Sequence, residues 1–115
     1  MVPSAASTAA TSAAPPRRSV QETAALLHFI GNLYESLGNF ADSVASYTRS
    51  LRLYESLGDA VRCARVLGDL SVAYMNQGRH VSAEGAYRQA LVFEPDNVDF
   101  KLGLVKCTVA TANYD

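Results

Sequence analysis

Ala64-Arg65-Val66-Leu67-Gly68-Asp69-Leu70-Ser71-Val72-Ala73-Tyr74-Met75-Asn76-Gln77-Gly78 sets Leu67, Leu70 and Tyr74 at spacings of three and four, and then ends on a glycine. That spacing is one face of an α-helix, and a glycine just past it is the usual left-handed stop. Forty residues earlier Leu27, Ile30, Tyr34 and Gly38 draw the same face and the same stop. Over residues 24–55 and 64–95 six positions coincide: Ala24/Ala64, Leu27/Leu67, Tyr34/Tyr74, Gly38/Gly78, Tyr47/Tyr87 and Leu51/Leu91. Unrelated stretches of this length would share roughly two. A self-similar period of this size means stacked copies of one helical unit.

Gly38, Gly58 and Gly78 stand 20 residues apart, each four residues after a tyrosine, so one helix and its turn fill each interval. Ser19 with Glu22 reads as a capping box, Asn39 and Asp59 as N-caps directly after glycines, and Asp96 or Asn97 as the cap after Pro95. Five helices are expected, near 20–37, 40–57, 60–77, 80–93 and 97–112. The fold class is all-α, antiparallel helix pairs joined by short turns.

At 115 residues, 49% hydrophobic and 18% charged, the chain has room for one soluble globular domain. A net charge of −1 gives no basic field, so nucleic acid is not expected as a partner. Residues 1–18 hold six Ala, five Ser or Thr and three Pro but no acid, and read as a flexible tail ahead of a helical domain over 19–115. No apolar run is long enough to span a bilayer, so no membrane role is expected and the default location is cytoplasmic. The acid-free start ending at Arg17-Arg18 leaves a mitochondrial transit peptide as the alternative, against which Pro15-Pro16 argue.

Motifs for catalysis are missing: no phosphate-binding glycine loop, no His-Glu-x-x-His, no Cys-x-x-Cys and no nucleophile elbow. The carboxylates Glu35, Asp42, Glu55, Asp59, Asp69 and Glu84 read as caps and solubilising charges. His28 and His80 fall in different repeats, and Cys63 and Cys107 lie outside metal-ligand spacing, so no metal and no cofactor are expected. The cysteines read as reduced packing residues. The chain is not expected to be an enzyme.

These residues resemble the tetratricopeptide repeats, whose signature is a large apolar residue, Leu-Gly, Tyr, Ala, an aromatic and Pro at fixed offsets. The second unit matches with Leu67, Leu70-Ser71, Tyr74, Gly78, Ala83, Tyr87, Ala90 and Pro95. The first matches with Leu27, Ile30-Gly31, Tyr34, Gly38, Ser43, Tyr47 and Ser50 but has Glu55 where the proline belongs. Without that proline the second helix runs on to Leu57, which accounts for a spacing of 40 instead of 34. About two and a half repeats result, near 24–57, 64–97 and 98–115, the last ending in the turn-like Ala112-Asn113-Tyr114-Asp115.

The resemblance implies that Gly31 or Ser71 nests against Ser43 or Ala83, and that Tyr34, Tyr47, Tyr74 and Tyr87 fill the space between helices. It further implies a protein-binding scaffold whose first helices line a concave groove for a peptide or helix of a partner. By register the groove would carry His28, Asn32 and Glu35 from the first repeat, Arg65, Val72, Met75 and Asn76 from the second, and Leu102, Lys106 and Val109 from the partial third. Ala25, Ser36, Gly68, Asp99 and Ala110 share the register. The clamp with which some relatives hold the C-terminal carboxylates of Hsp70 and Hsp90 would fall on His28, Asn32, Asp69, Asp99 and Gly103. Only the asparagine survives and two acids would repel, so those tails are not expected to bind.

Phe100, Leu102, Leu104, Val105 and Val109 have no evident covering element after the third first-helix. Repeats bury their faces only against neighbours. The expectation is either a piece of a larger protein or complex whose activity lies elsewhere, or a last helix that docks on a partner or a second copy.

Overall fold

The computed structural model describes residues 15–112, and within them the chain forms five helices and no strand. They are α1 (Arg17–Ser36), α2 (Phe40–Ser56), α3 (Ala60–Asn76), α4 (His80–Phe93) and α5 (Val98–Ala112). The tail over 1–14 and the terminal Asn113-Tyr114-Asp115 turn lie outside the described residues.

The three glycines set the turns. Gly38, Gly58 and Gly78 have φ of 77°, 68° and 74°, a region closed to most side chains. At each, the residue after the glycine donates its N–H to the carbonyl of the preceding tyrosine: Asn39 to Tyr34 at 2.8 Å, Asp59 to Tyr54 at 3.1 Å and Arg79 to Tyr74 at 2.9 Å. Gly38, Gly58 and Gly78 donate to Glu35, Glu55 and Met75, completing a Schellman cap. The tyrosine four residues before each glycine therefore marks the carbonyl that the cap satisfies.

Helix starts are less uniform. Asp59 accepts from the N–H of Arg62 at 3.1 Å and Asn97 from that of Phe100 at 3.0 Å, as expected of caps. Asn39 occupies the N-cap position of α2 without a side-chain bond. The Ser19–Glu22 capping box does not form. Pro16, at φ −57° and ψ 145°, cannot continue a helix backwards but permits one to begin at Arg17. Ser19 is thus already inside α1, where its carbonyl accepts from Thr23, while Glu22 pairs with Arg18 at 3.1 Å. Arg17 and Arg18, placed in the tail by composition, belong to the first turn. The Arg17 guanidinium reaches the carbonyl of Leu57, 2.8 Å away at the end of α2.

The small-residue seats are present. Ser43 donates to the carbonyl of Gly31 at 2.9 Å, Ser50 donates to that of Ala24 at 2.7 Å, and Ser71 and Ala83 are fully buried. Of the four expected packing tyrosines, Tyr47 and Tyr87 are buried. Tyr34 and Tyr74 are only half-buried, and Tyr74 carries the Arg79 guanidinium 4.7 Å over its ring. Tyr54 joins the core instead, in the extra turn that α2 gains by lacking the proline. α3 lies at the centre and buries seven residues; α5 buries Gly103 and Cys107. Phe100 and Leu104, expected to lack cover, pack against the buried Ala83–Tyr87–Cys107 cluster.

Candidate functional site: a groove between α1, α3 and α5

The first helices of the pairs face one open groove of about 700 Å³. α3 forms its middle with Val61, Arg65, Gly68, Asp69 and Val72, a helical face at intervals of three and four. α1 adds His28, α4 adds Tyr87, and the α4–α5 junction adds Glu94, Asn97, Asp99 and Phe100.

The floor is apolar and tight. A methyl group on Gly68 would lie 2.7 Å from Phe100 Cε1, so the missing side chain is what seats the ring. Phe100 in turn tilts against Tyr87, with centroids 6.5 Å apart at 48°. Asn97 holds the entry to α5, accepting from the Phe100 N–H and donating to Glu94 Oε1 at 2.8 Å.

The rim is acidic. Asp69, Glu94 and Asp99 share the lining with one guanidinium, that of Arg65. His28 Nε2 lies 2.6 Å from Asp69 Oδ2 and ties α1 to α3, while its ring meets Tyr47 edge-on with centroids 5.7 Å apart. Asp69 is therefore a groove carboxylate with a partner and not a scattered surface charge.

Of the residues carried over by register, the structure brings His28, Arg65, Gly68, Val72 and Asp99 into this lining. Asn32 and Glu35 lie further along α1 and serve Tyr47: its hydroxyl is 2.6 Å from Asn32 Oδ1 and 2.7 Å from Glu35 Oε1. With one hydrogen it donates to one of them at a time. Burial, reinforced by the Glu35 hydrogen bond and charge, pushes the Tyr47 phenol well above its ordinary range. Met75 is half-buried between α3 and α5, its Sδ 3.3 Å from the Cys107 thiol and 3.5 Å from His80 Nδ1. Asn76 is exposed at the end of α3, and Leu102, Lys106 and Val109 are exposed on α5 outside the groove lining.

Val61, Tyr87, Glu94, Asn97 and Phe100 were not expected in the groove. Val61 precedes the repeat start assigned at Ala64, yet α3 begins at Ala60, so one turn of groove lies upstream of the motif. A periodic reading that continued the Arg65–Val72 face one turn backwards would have reached it. Phe100 is visible only once Gly68 is known to face it.

Among the described residues no three His, Cys, Asp or Glu side chains group as metal ligands, and no helix is long and apolar enough to cross a membrane. Cys63 and Cys107 are buried free thiols, raised above their ordinary range by desolvation.

Stacked helical hairpins with a groove on their first helices define a helical-repeat protein. A family model for the tetratricopeptide repeat matches residues 22–91, and the chain belongs to that family. Over 52 residues it is 36% identical to Protein SULFUR DEFICIENCY-INDUCED 1 of Arabidopsis thaliana, a stretch covering 45% of this chain and 17% of that protein. The chain thus spans less than a fifth of the relative it matches. Members of the family are typically non-catalytic modules for protein–protein interaction, so protein partners are what membership implies.

Proposed function

We propose that the chain is a non-catalytic scaffold that holds a short segment of a partner protein in the groove between α1, α3 and α5. The observation that carries this reading is the groove itself, about 700 Å³, lined by the apolar side chains of Val61, Val72, Tyr87 and Phe100 together with three carboxylates and one guanidinium. A segment with a large apolar anchor flanked by Lys or Arg matches both kinds of lining, the anchor supplying affinity and the charges orientation. The C-terminal carboxylates of Hsp70 and Hsp90 do not match it, because Asp69 and Asp99 would repel a carboxylate and Gly103 has no side chain.

A second reading makes the module a structural or regulatory part of a larger protein or complex. The small share of the Arabidopsis relative that the chain covers supports it.

Fluorescence anisotropy with labelled peptides tests the first reading. Basic-apolar peptides should bind with a Kd well below about 1 mM. Acidic peptides ending in EEVD should not. Val72→Asp should abolish binding while leaving the helical circular dichroism intact. If no basic-apolar peptide binds, or binding ignores Val72→Asp, the groove is not the site.

A further inference from the structure

α5 has two opposed faces. Phe100, Gly103, Leu104 and Cys107 turn toward α3 and α4, whereas Val98, Leu102, Val105 and Val109 point away and are 64%, 53%, 57% and 53% exposed. The outward four are spaced by four, three and four residues, the spacing of a seam between two paired helices. Nothing among the described residues covers them.

We propose that a second copy of this chain covers this seam, the two α5 helices pairing antiparallel about a twofold axis. The charges beside the seam choose both occupant and direction. In heptad terms Asp99 and Lys106 flank it on one side, Lys101 and Thr108 on the other. Antiparallel pairing that layers Val98 on Val109 and Leu102 on Val105 of the second copy sets Asp99 opposite Lys106, and by symmetry Lys106 opposite Asp99. Lys101 then faces Thr108. Parallel pairing instead sets Lys101 of each copy against Lys106 of the other, two repulsions in place of two attractions.

α1 also shows an apolar stripe, Leu26, Phe29, Leu33 and Leu37. No charges flank it to select a partner. The α5 seam is short, so the interface belongs at the small end of the range for specific complexes. Its helix is already held by α4, so pairing does not have to order it, and a weak reversible dimer is the outcome.

Sedimentation velocity on the 115-residue chain from about 10 µM to about 1 mM reads the equilibrium directly. A monomer–dimer transition is expected in that range. Leu102→Glu should weaken it by at least about tenfold, and Val105→Glu should do the same. Both positions are exposed in the monomer, so circular dichroism and Tm should stay unchanged in dilute, monomeric protein. Asp99→Lys and Lys106→Asp should each weaken the dimer, and the double variant should restore it. Lys101→Glu should leave it alone. A chain that remains monomeric throughout overturns the proposal, as does a dimer indifferent to Leu102→Glu. Tightening by Lys101→Glu would show parallel pairing, and open polymers stopped by Phe29→Glu would show that α1 covers α5.

Discussion

Gly31 and Ser71 occupy the same place in their repeats, yet the ring that follows is accommodated differently in each. A methyl group on Gly31 would fall 2.5 Å from two carbons of the Tyr47 ring. In the second repeat Ser71 fills that seat, and Tyr87 finds its space on the next helix, where a methyl on Gly103 would fall 2.2 Å from Tyr87 Cζ. Gly31→Ala should therefore destabilise by about 1–3 kcal/mol through overpacking. Urea denaturation at constant m-value measures it, and a loss under half a kcal/mol would mean that Tyr47 can move aside. The caps give a second contrast. Asp59→Ala removes the acceptor of the Arg62 N–H and should cost about 1 kcal/mol, while Asn39→Ala removes no side-chain bond and should stay within about 0.5 kcal/mol. Equal losses would sink this distinction, which sequence could not supply because both residues stand directly after a turn glycine.

The helices themselves were legible because each signal has a local cause. The glycines need positive φ, the tyrosines before them supply cap carbonyls, and the three-and-four spacing marks the buried face, so no knowledge of neighbours was required. The start of α1 was missed because Pro16 allows a helix from the next residue, and that outweighed the Ser19–Glu22 pattern. The groove was legible only in part. His28, Arg65, Gly68, Val72 and Asp99 follow from register along single helices, whereas Phe100 and Asn97 enter through packing across α3, α4 and α5. The missing proline at Glu55 is legible as a longer helix: α2 runs 17 residues against 14 in α4. That added turn buries Tyr54 and carries Leu57, whose carbonyl takes the Arg17 guanidinium. Glu55→Pro, which restores the family residue, should therefore harm this protein. It removes an interior N–H and clashes with the preceding turn, costing roughly 3 kcal/mol. A drop in Tm of several degrees, with Tyr54 becoming exposed by fluorescence quenching, is the expected result; an unchanged Tm would mean that the extra turn contributes nothing.

Across the whole molecule, stability comes from successive interfaces, and its dependence on pH follows from what those interfaces bury. Tyr47, Tyr54 and Tyr87 are raised from an ordinary value of 10.0, and Cys63 and Cys107 from 9.0, in each case chiefly by desolvation. All five hold their protons more tightly when folded. The unfolded chain therefore loses them first, and the stability they contribute is complete at neutral pH and declines as pH rises past 9. Each group adds a slope of about 1.4 kcal/mol per pH unit while only the unfolded form is ionised. Tm measured under reducing conditions should fall steeply between pH 9 and 11, and less steeply in Tyr47→Phe; a flat profile would contradict the burial. The interfaces are also unequal along the stack. α3 packs on both sides and buries seven residues, while α5 buries two and rests mainly on α4. In a one-dimensional stack the end unit opens without disturbing the centre. Amide exchange in dilute protein should thus be slowest in α3 and fastest in α5. If two copies pair through α5, its protection must rise with protein concentration while that of α3 stays constant. Protection of α5 that equals α3 at every concentration would show one cooperative block and remove the basis for an independently exposed end.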